Sequence, residues 1–263
     1  MRLGTTGKRL LGLAAIAGGL LVLRPLMSTT MPGTSAWLEL TGPFRTLPLP
    51  FVWSAWNAAN RRHDVAGIRA TGRWLTWLSP QRRDLFLGHA WDLAHNLASL
   101  ESSPERRARL LLEAVDLLDE GLRLHPRTWL FPAHAGFHLQ TCAEHDSALI
   151  PVFQRLTGQD PLQLAKRYFQ AARRLAPGIR WLAWQEALSD ELSAVLAFLA
   201  GDRQAASQQL RHAIALRTAN PTRRALLERT AEAIERRLSR LPRDLSAKLR
   251  KDPVLSRIAD RWQ

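Results

Sequence analysis

Cysteine is nearly absent: Cys142 is the only one in 263 residues. An internal disulfide is therefore excluded, and neither a CxxC redox pair nor a zinc-finger spacing exists. Tyrosine occurs once against ten tryptophans, and leucine- and alanine-rich runs stand where an all-β domain would place tyrosine and β-branched residues. Also missing are a glycine-rich phosphate loop, a nucleophile elbow and a Ser-x-x-Lys motif. No lysozyme-like segment offers a catalytic glutamate. These absences point away from an enzyme, and nothing calls for a cofactor. What is present is an ordinary globular mixture, 46% hydrophobic and 23% charged, ample for a packed core and far from disorder. The length suits one or two domains. Charge is the outlier: 37 Lys+Arg against 23 Asp+Glu leave a net +14, and all but Lys8, Lys166, Lys248 and Lys251 of the basic residues are arginine.

Arg2, Lys8 and Arg9 precede an uncharged apolar run from Leu10 to Leu23 that ends at Arg24-Pro25. Basic residues on this side keep the amino terminus in the cytoplasm, so the chain beyond the run is expected outside it. Fourteen residues make a helix of about 21 Å, short of the roughly 20 residues a full span wants. Adding Leu26 and Met27, with Arg24 snorkelling to the interface, reaches a marginal length. The first reading is a single-pass anchor over residues 1–27, carried by Leu10, Leu13, Ile16, Leu20 and Leu23. The alternative is a cleaved signal with small residues at Thr34-Ser35-Ala36. Residues 28–56 hold Pro32, Gly33, Gly42, Pro43, Pro48 and Pro50, a density that reads as a linker. Its aromatic end, Phe51, Val52, Trp53 and Trp56, is expected either at lipid headgroups or packed on the first helices of the domain.

From Asn57 onward a small polar residue before proline repeatedly marks a helix start: Ser79-Pro80, Ser103-Pro104, Asp160-Pro161, Asn220-Pro221 and Asp252-Pro253. The polar side chain can cap free N–H groups, and proline suits the first turn. Apolar stripes at helical spacing fill the intervals: Leu87, Trp91, Ala94 and Leu97; Leu110, Ala114, Leu117, Gly121 and Leu124; Leu162, Ala165, Phe169, Ala172 and Leu175; Trp181, Trp184, Leu188, Leu192, Val195 and Leu199. Two further stripes run through Ile214 and through Leu241. Short connections predict antiparallel neighbours. The stretch 143–159 reads as a lid-like insertion. Helix ends at His125-Pro126, Ala176-Pro177 and Asn220-Pro221 suggest paired helices in an irregular solenoid over residues 57–241, with a basic tail at 242–263.

The segments Trp74-Leu-Thr-Trp-Leu-Ser-Pro80, Ala90-Trp-Asp-Leu-Ala-His-Asn96, Ser103-Pro-Glu-Arg-Arg107 and Leu118-Asp-Glu-Gly-Leu-Arg-Leu-His-Pro126 resemble bacterial membrane-anchored tetratricopeptide-like proteins over roughly residues 50–240. The resemblance implies an all-α irregular superhelix acting as an interaction scaffold at the cytoplasmic membrane. It transfers no catalytic residue.

His134, His138 and Cys142 fall at i, i+4 and i+8 along one helix face, the residue types and spacing that could ligate zinc. No HExxH glutamate accompanies them, and the expectation is structural histidines and no metal. Asp92, His95 and Asn96 are expected to bond between helices. Glu113, Asp116, Asp119 and Glu120 read as a solvated face paired with arginines such as Arg109 and Arg123. Residues 203–263 contain 15 Arg/Lys and 6 Asp/Glu, a surplus of +9. Arg223, Arg224, Arg236, Arg237 and Arg240 form the candidate basic surface, open to an acidic partner or anionic lipid. Trp262 is the only aromatic there, so single-stranded nucleic acid is poorly served. The expected function is a membrane-tethered scaffold or accessory subunit of an envelope complex, partnered by membrane or envelope proteins. An anionic-polymer, lipid or nucleic-acid binder is the second reading, an envelope enzyme a distant third.

Overall fold

The computed structural model describes residues 47–217, 219–238 and 240–262. The expected anchor, the alternative cleavage site and most of the expected linker lie outside the described residues. Among these residues all regular structure is helical and no strand occurs. None of the described helices is long and apolar enough to cross a membrane.

The chain divides into two compact units with their boundary between Ser79 and Pro80. In the first, α1 (Leu49–Arg62) and α2 (Val65–Leu78) pack as a hairpin. Helix α1 starts inside the stretch expected to be linker. Pro48 and Pro50 occupy its cap and first turn, where a missing N–H breaks no bond, so a proline cluster that reads as a breaker starts a helix here. Phe51 and Trp53 remain exposed on it, and Trp53 leans on Trp56 with ring centroids 5.1 Å apart.

The second unit contains α3 (Arg83–Trp91), α4 (Pro104–Leu124), α5 (Leu130–His145), α6 (Leu149–Thr157), α7 (Pro161–Leu175), α8 (Arg180–Leu199), α9 (Arg203–Leu216), α10 (Pro221–Glu235), α11 (Arg243–Arg250) and α12 (Ser256–Arg261). Helix α3 runs on through a π-helical turn, Asp92–Leu97, and a last turn, Ala98–Leu100. Each long helix packs on the next: α4 on α3 and α5, α7 on α5 and α8, α9 on α8 and α10. Phe86, Phe131, Phe153 and Phe169 are fully buried, with Phe86 and Phe131 edge to face at 6.0 Å. Glycine permits a close crossing of α5 and α7: a Cβ at Gly136 would stand 3.0 Å from the Ala165 carbonyl oxygen on α7.

Ser103, Asp160 and Asn220 cap their helices as expected; Asp160 Oδ1 accepts from the Leu162 and Gln163 amides at 2.8 and 3.1 Å. Ser79-Pro80 does not. Ser79 instead ends α2, with φ −136° and ψ 63° and its N–H donated to the Leu75 carbonyl. His125 ends α4 at −130° and 65°, and Ala176 ends α7 at −143° and 70°. Three Leu-x-Pro segments, Leu78-Ser-Pro80, Leu124-His-Pro126 and Leu175-Ala-Pro177, thus end helices in the same way, the residue before proline leaving the helical region. Leu130-Phe-Pro132 and Leu149-Ile-Pro151, by contrast, lie in the first turns of α5 and α6. Asp252-Pro253 holds a turn, Asp252 accepting from the Val254 and Leu255 amides before α12 begins.

Two stretches expected to be peripheral are built into the fold. Residues 143–159 are no lid: α6 buries Leu149 and Val152 against Ala108 of α4. The expected basic tail folds back, burying Leu245, Leu249, Leu255 and Ile258, and α12 reaches α8. There Trp262 stacks on Phe198 at 4.9 Å and donates its Nε1–H to the Leu238 carbonyl.

Candidate functional site

The expected apolar stripes hold at Ala94 and Leu97 and at Leu192 and Val195, which are buried, but fail at their amino-terminal ends. In α3 the core takes Phe86 and Ala90 rather than Leu87 and Trp91, and in α8 it takes Leu182 rather than Trp181. Trp91, Trp181 and Trp184 are left 42%, 41% and 45% exposed, so side chains expected in the core form the surface. Trp91 stacks with Phe137 of α5 at 6.2 Å and leans on His95 at 4.4 Å. Trp181 meets Phe169 edge to face at 6.2 Å, and the Arg217 guanidinium lies 5.1 Å from the centroid of Trp184. The result is two aromatic ledges: Trp91–Phe137, against His95, and the exposed Trp181 and Trp184 three positions apart on α8, the first seated on Phe169 and the second against Arg217.

Under the first ledge, His95 Nε2 and His138 Nδ1 are 2.8 Å apart, joining the π-helical turn to α5. His138 is fully buried, and its Nε2 has no hydrogen-bond partner among the described residues. The tautomer that avoids an orphan N–H there has His138 Nδ1–H donating to His95. Burial, reinforced by His95 and His134, holds His138 well below the usual imidazole range. Burial also lowers His95, with help from His145, and alone lowers His134. Of the expected inter-helix trio, His95 reaches across to α5, and Asp92 accepts from Asn96 on its own helix at 2.6 Å. His134, His138 and Cys142 do lie along α5. Cys142, however, sits beside the Ala94 carbonyl at 3.7 Å, and burial pushes its thiol up to about 12. Among the described residues no group of three or more His, Cys, Asp or Glu is placed to hold a metal ion.

Under the second ledge lies a set of acids that the apolar pattern did not single out. Glu186, Asp190 and Glu191 of α8 are at most 1% exposed. On the side facing α7, Ser193 pairs with Gln163, Asp190 with Lys166 at 2.8 Å, and Glu186 with Gln170 at 2.8 Å and with Arg173 at 3.3 Å. The descending numbers on one helix against ascending ones on the other fix α7 and α8 as antiparallel. Asp190 also meets His212 Nδ1 of α9 at 2.5 Å. On the other side, Glu191 accepts from Arg217 Nε at 2.9 Å and from Arg223, which also pairs with Asp252. The sequence signal was the polar spacing of Gln185-Glu-Ala-Leu-Ser-Asp-Glu-Leu-Ser193, which recurs at helical period on both flanks of α8.

Arg223 is therefore not part of a free basic surface, and Arg224 pairs with Glu228, whereas Arg236, Arg237 and Arg240 are exposed. Asp119 is not simply solvated: it accepts from Tyr168 at 2.7 Å, and burial raises it above the usual carboxylate range. An open cleft of about 420 Å³ between α6, α7, α8 and α9 is lined by Gln154, Gln163, Gln209 and Ser193, and its one charged wall residue, Asp160, is occupied in capping α7. No protein-family model matches the chain, and no curated protein matches it.

Proposed function

We propose that this chain is a membrane-tethered, non-enzymatic scaffold whose helical hairpins form an irregular tetratricopeptide-like superhelix serving a membrane or envelope complex. The observation that carries this reading is the pair of aromatic ledges. Large aromatic side chains held in place by neighbouring side chains supply interaction area at low entropic cost, the character of binding anchors. The recurring Leu-x-Pro stops support the repeat, as do polar links between positions one interval apart, such as His125 with Pro80 and Tyr168 with Asp119. The basic flank before Leu10 supports an amino terminus in the cytoplasm and a body outside it.

Affinity capture of the full chain from its native membrane tests the function. Trp91→Ala with Phe137→Ala, and separately Trp184→Ala, should retain native circular dichroism yet lose a captured partner that the unmutated chain keeps at about 1 M salt, because apolar burial is not screened. Unchanged capture by all these variants refutes the ledge reading. A periplasm-active reporter fused after Gln263 should work where a cytosol-only reporter fails, and the reverse removes the extracytoplasmic placement.

A further inference from the structure

The carboxy-terminal end carries charge that the fold does not use. Between residues 236 and 261 nine arginines and lysines are exposed, among them Arg236, Arg237, Arg240, Arg243, Lys248 and Arg257, and none of the nine enters an ion pair among the described residues. Two of the three acids in that stretch are engaged elsewhere: Asp244 with Arg229 at 2.7 Å and Asp252 with Arg223. Only Asp260 is left to oppose them. The backbone adds a sign of its own: Arg237 holds φ at 50°, a left-handed conformation that glycine or asparagine adopts at less cost.

We infer that this end is an electrostatic docking surface for an anionic phospholipid bilayer. The apolar faces of α11 and α12 are turned into the core through Leu245, Leu249, Ile258 and Ala259, so the surface would rest on headgroups without inserting. The charges are spread over a turn and two short helices instead of along one helix able to enter a nucleic-acid groove. The one aromatic, Trp262, is stacked on Phe198, leaving nothing for bases to stack on. Lipid is the anion source that the tether proposed above brings near, so the inference rests on that reading.

The test uses the full chain with Cys142→Ser in lipid nanodiscs, with an environment-sensitive fluorophore at Lys251→Cys as the only thiol. With mixed phosphatidylcholine and phosphatidylglycerol at about 0.1 M salt the label should report docking, and about 1 M salt should release it. Phosphatidylcholine alone should show none. Neutralising Arg236, Arg237 and Arg240 to Gln should lower the docked-to-free ratio about a hundredfold, roughly a factor of five for each charge. Docking that is equal on the neutral lipid, or that survives 1 M salt, overturns the inference, as does no docking on the anionic lipid. A response to added polyglutamate in neutral discs, without one to anionic lipid, assigns the surface to an acidic protein and also overturns it. Failure of the disc-tethered chain to stay with the discs would instead refute the tether, independently of the label.

Discussion

Glu191→Gln removes the charge that two arginines share and leaves the shape nearly unchanged. Glu191 is fully buried, Arg217 is 4% exposed, and the Arg217 Nη1 already lacks a hydrogen-bond partner among the described residues. Its guanidinium would be left with the Trp184 face and one neutral acceptor. Breaking a buried pair by removing one partner costs about 3–5 kcal/mol, since the surviving charge is uncompensated. Arg223 keeps Asp252, which argues for the lower end, about 3 kcal/mol. For a unit of about 180 residues each kcal/mol moves the midpoint by about 2–4 °C, so Tm should fall by about 6–12 °C. Thermal and urea melts followed by circular dichroism read this directly, and the urea slope should not change. Because the pair is shielded from solvent, the difference from the unmutated protein should persist at about 1 M salt. A loss of about 2 °C or less, or one that salt erases, would falsify the claim that this network is buried and paired.

The histidines predict an acid-labile fold. His138 and His95 are lowered from 6.5 in the folded state, so the unfolded chain binds protons first and stability present above about pH 6.5 declines as pH falls. Each pH unit over which His138 stays neutral while its unfolded counterpart is charged removes about 1.4 kcal/mol; urea midpoints should show this slope, and His138→Gln should flatten it. A flat profile in the unmutated protein contradicts the assignment. Glycines offer a paired check. Gly136→Ala meets backbone and the Phe169 ring at 3.0 Å and should destabilise by about 1–3 kcal/mol. Gly88→Ala, with nothing within 4 Å, should stabilise by about 0.5–1 kcal/mol. Equal effects at the two sites in urea melts would refute the close α5–α7 approach.

The helical class was legible because its signals are local: caps at Ser103, Asp160 and Asn220, and stripes such as Leu162, Ala165, Phe169 and Ala172, all buried. Where the reading slipped, the cause was tertiary. Hydrophobicity ranks Trp181 above Glu186, yet α8 is wedged between α7 and α9, and its acids find Lys166, Arg173 and His212 there. A polar side chain with a partner on the next helix is indistinguishable in sequence from one facing water. The same blindness put Arg223 on a free surface, since Glu191 and Asp252 lie 32 and 29 positions away from it in the chain. At Ser79-Pro80 the dipeptide fits both a start and a stop, and in the fold Ser79 closes α2.

The π-helical turn at Asp92–Leu97 amounts to one surplus residue threaded into α3. Deleting a residue there would restore ordinary helical bonding, and α-helical bonding is the better backbone geometry. It would also swing everything on one side of the deletion by about 100° relative to the other, separating Trp91 from His95 or His95 from His138. Local backbone stability and the seating of the first ledge therefore pull against each other at this turn. Lineages under selection for robustness alone would tend to lose the residue. Those that depend on Trp91 and Phe137 should keep the helix one residue too long, so its presence or loss among related chains becomes a historical marker of whether that face is in use.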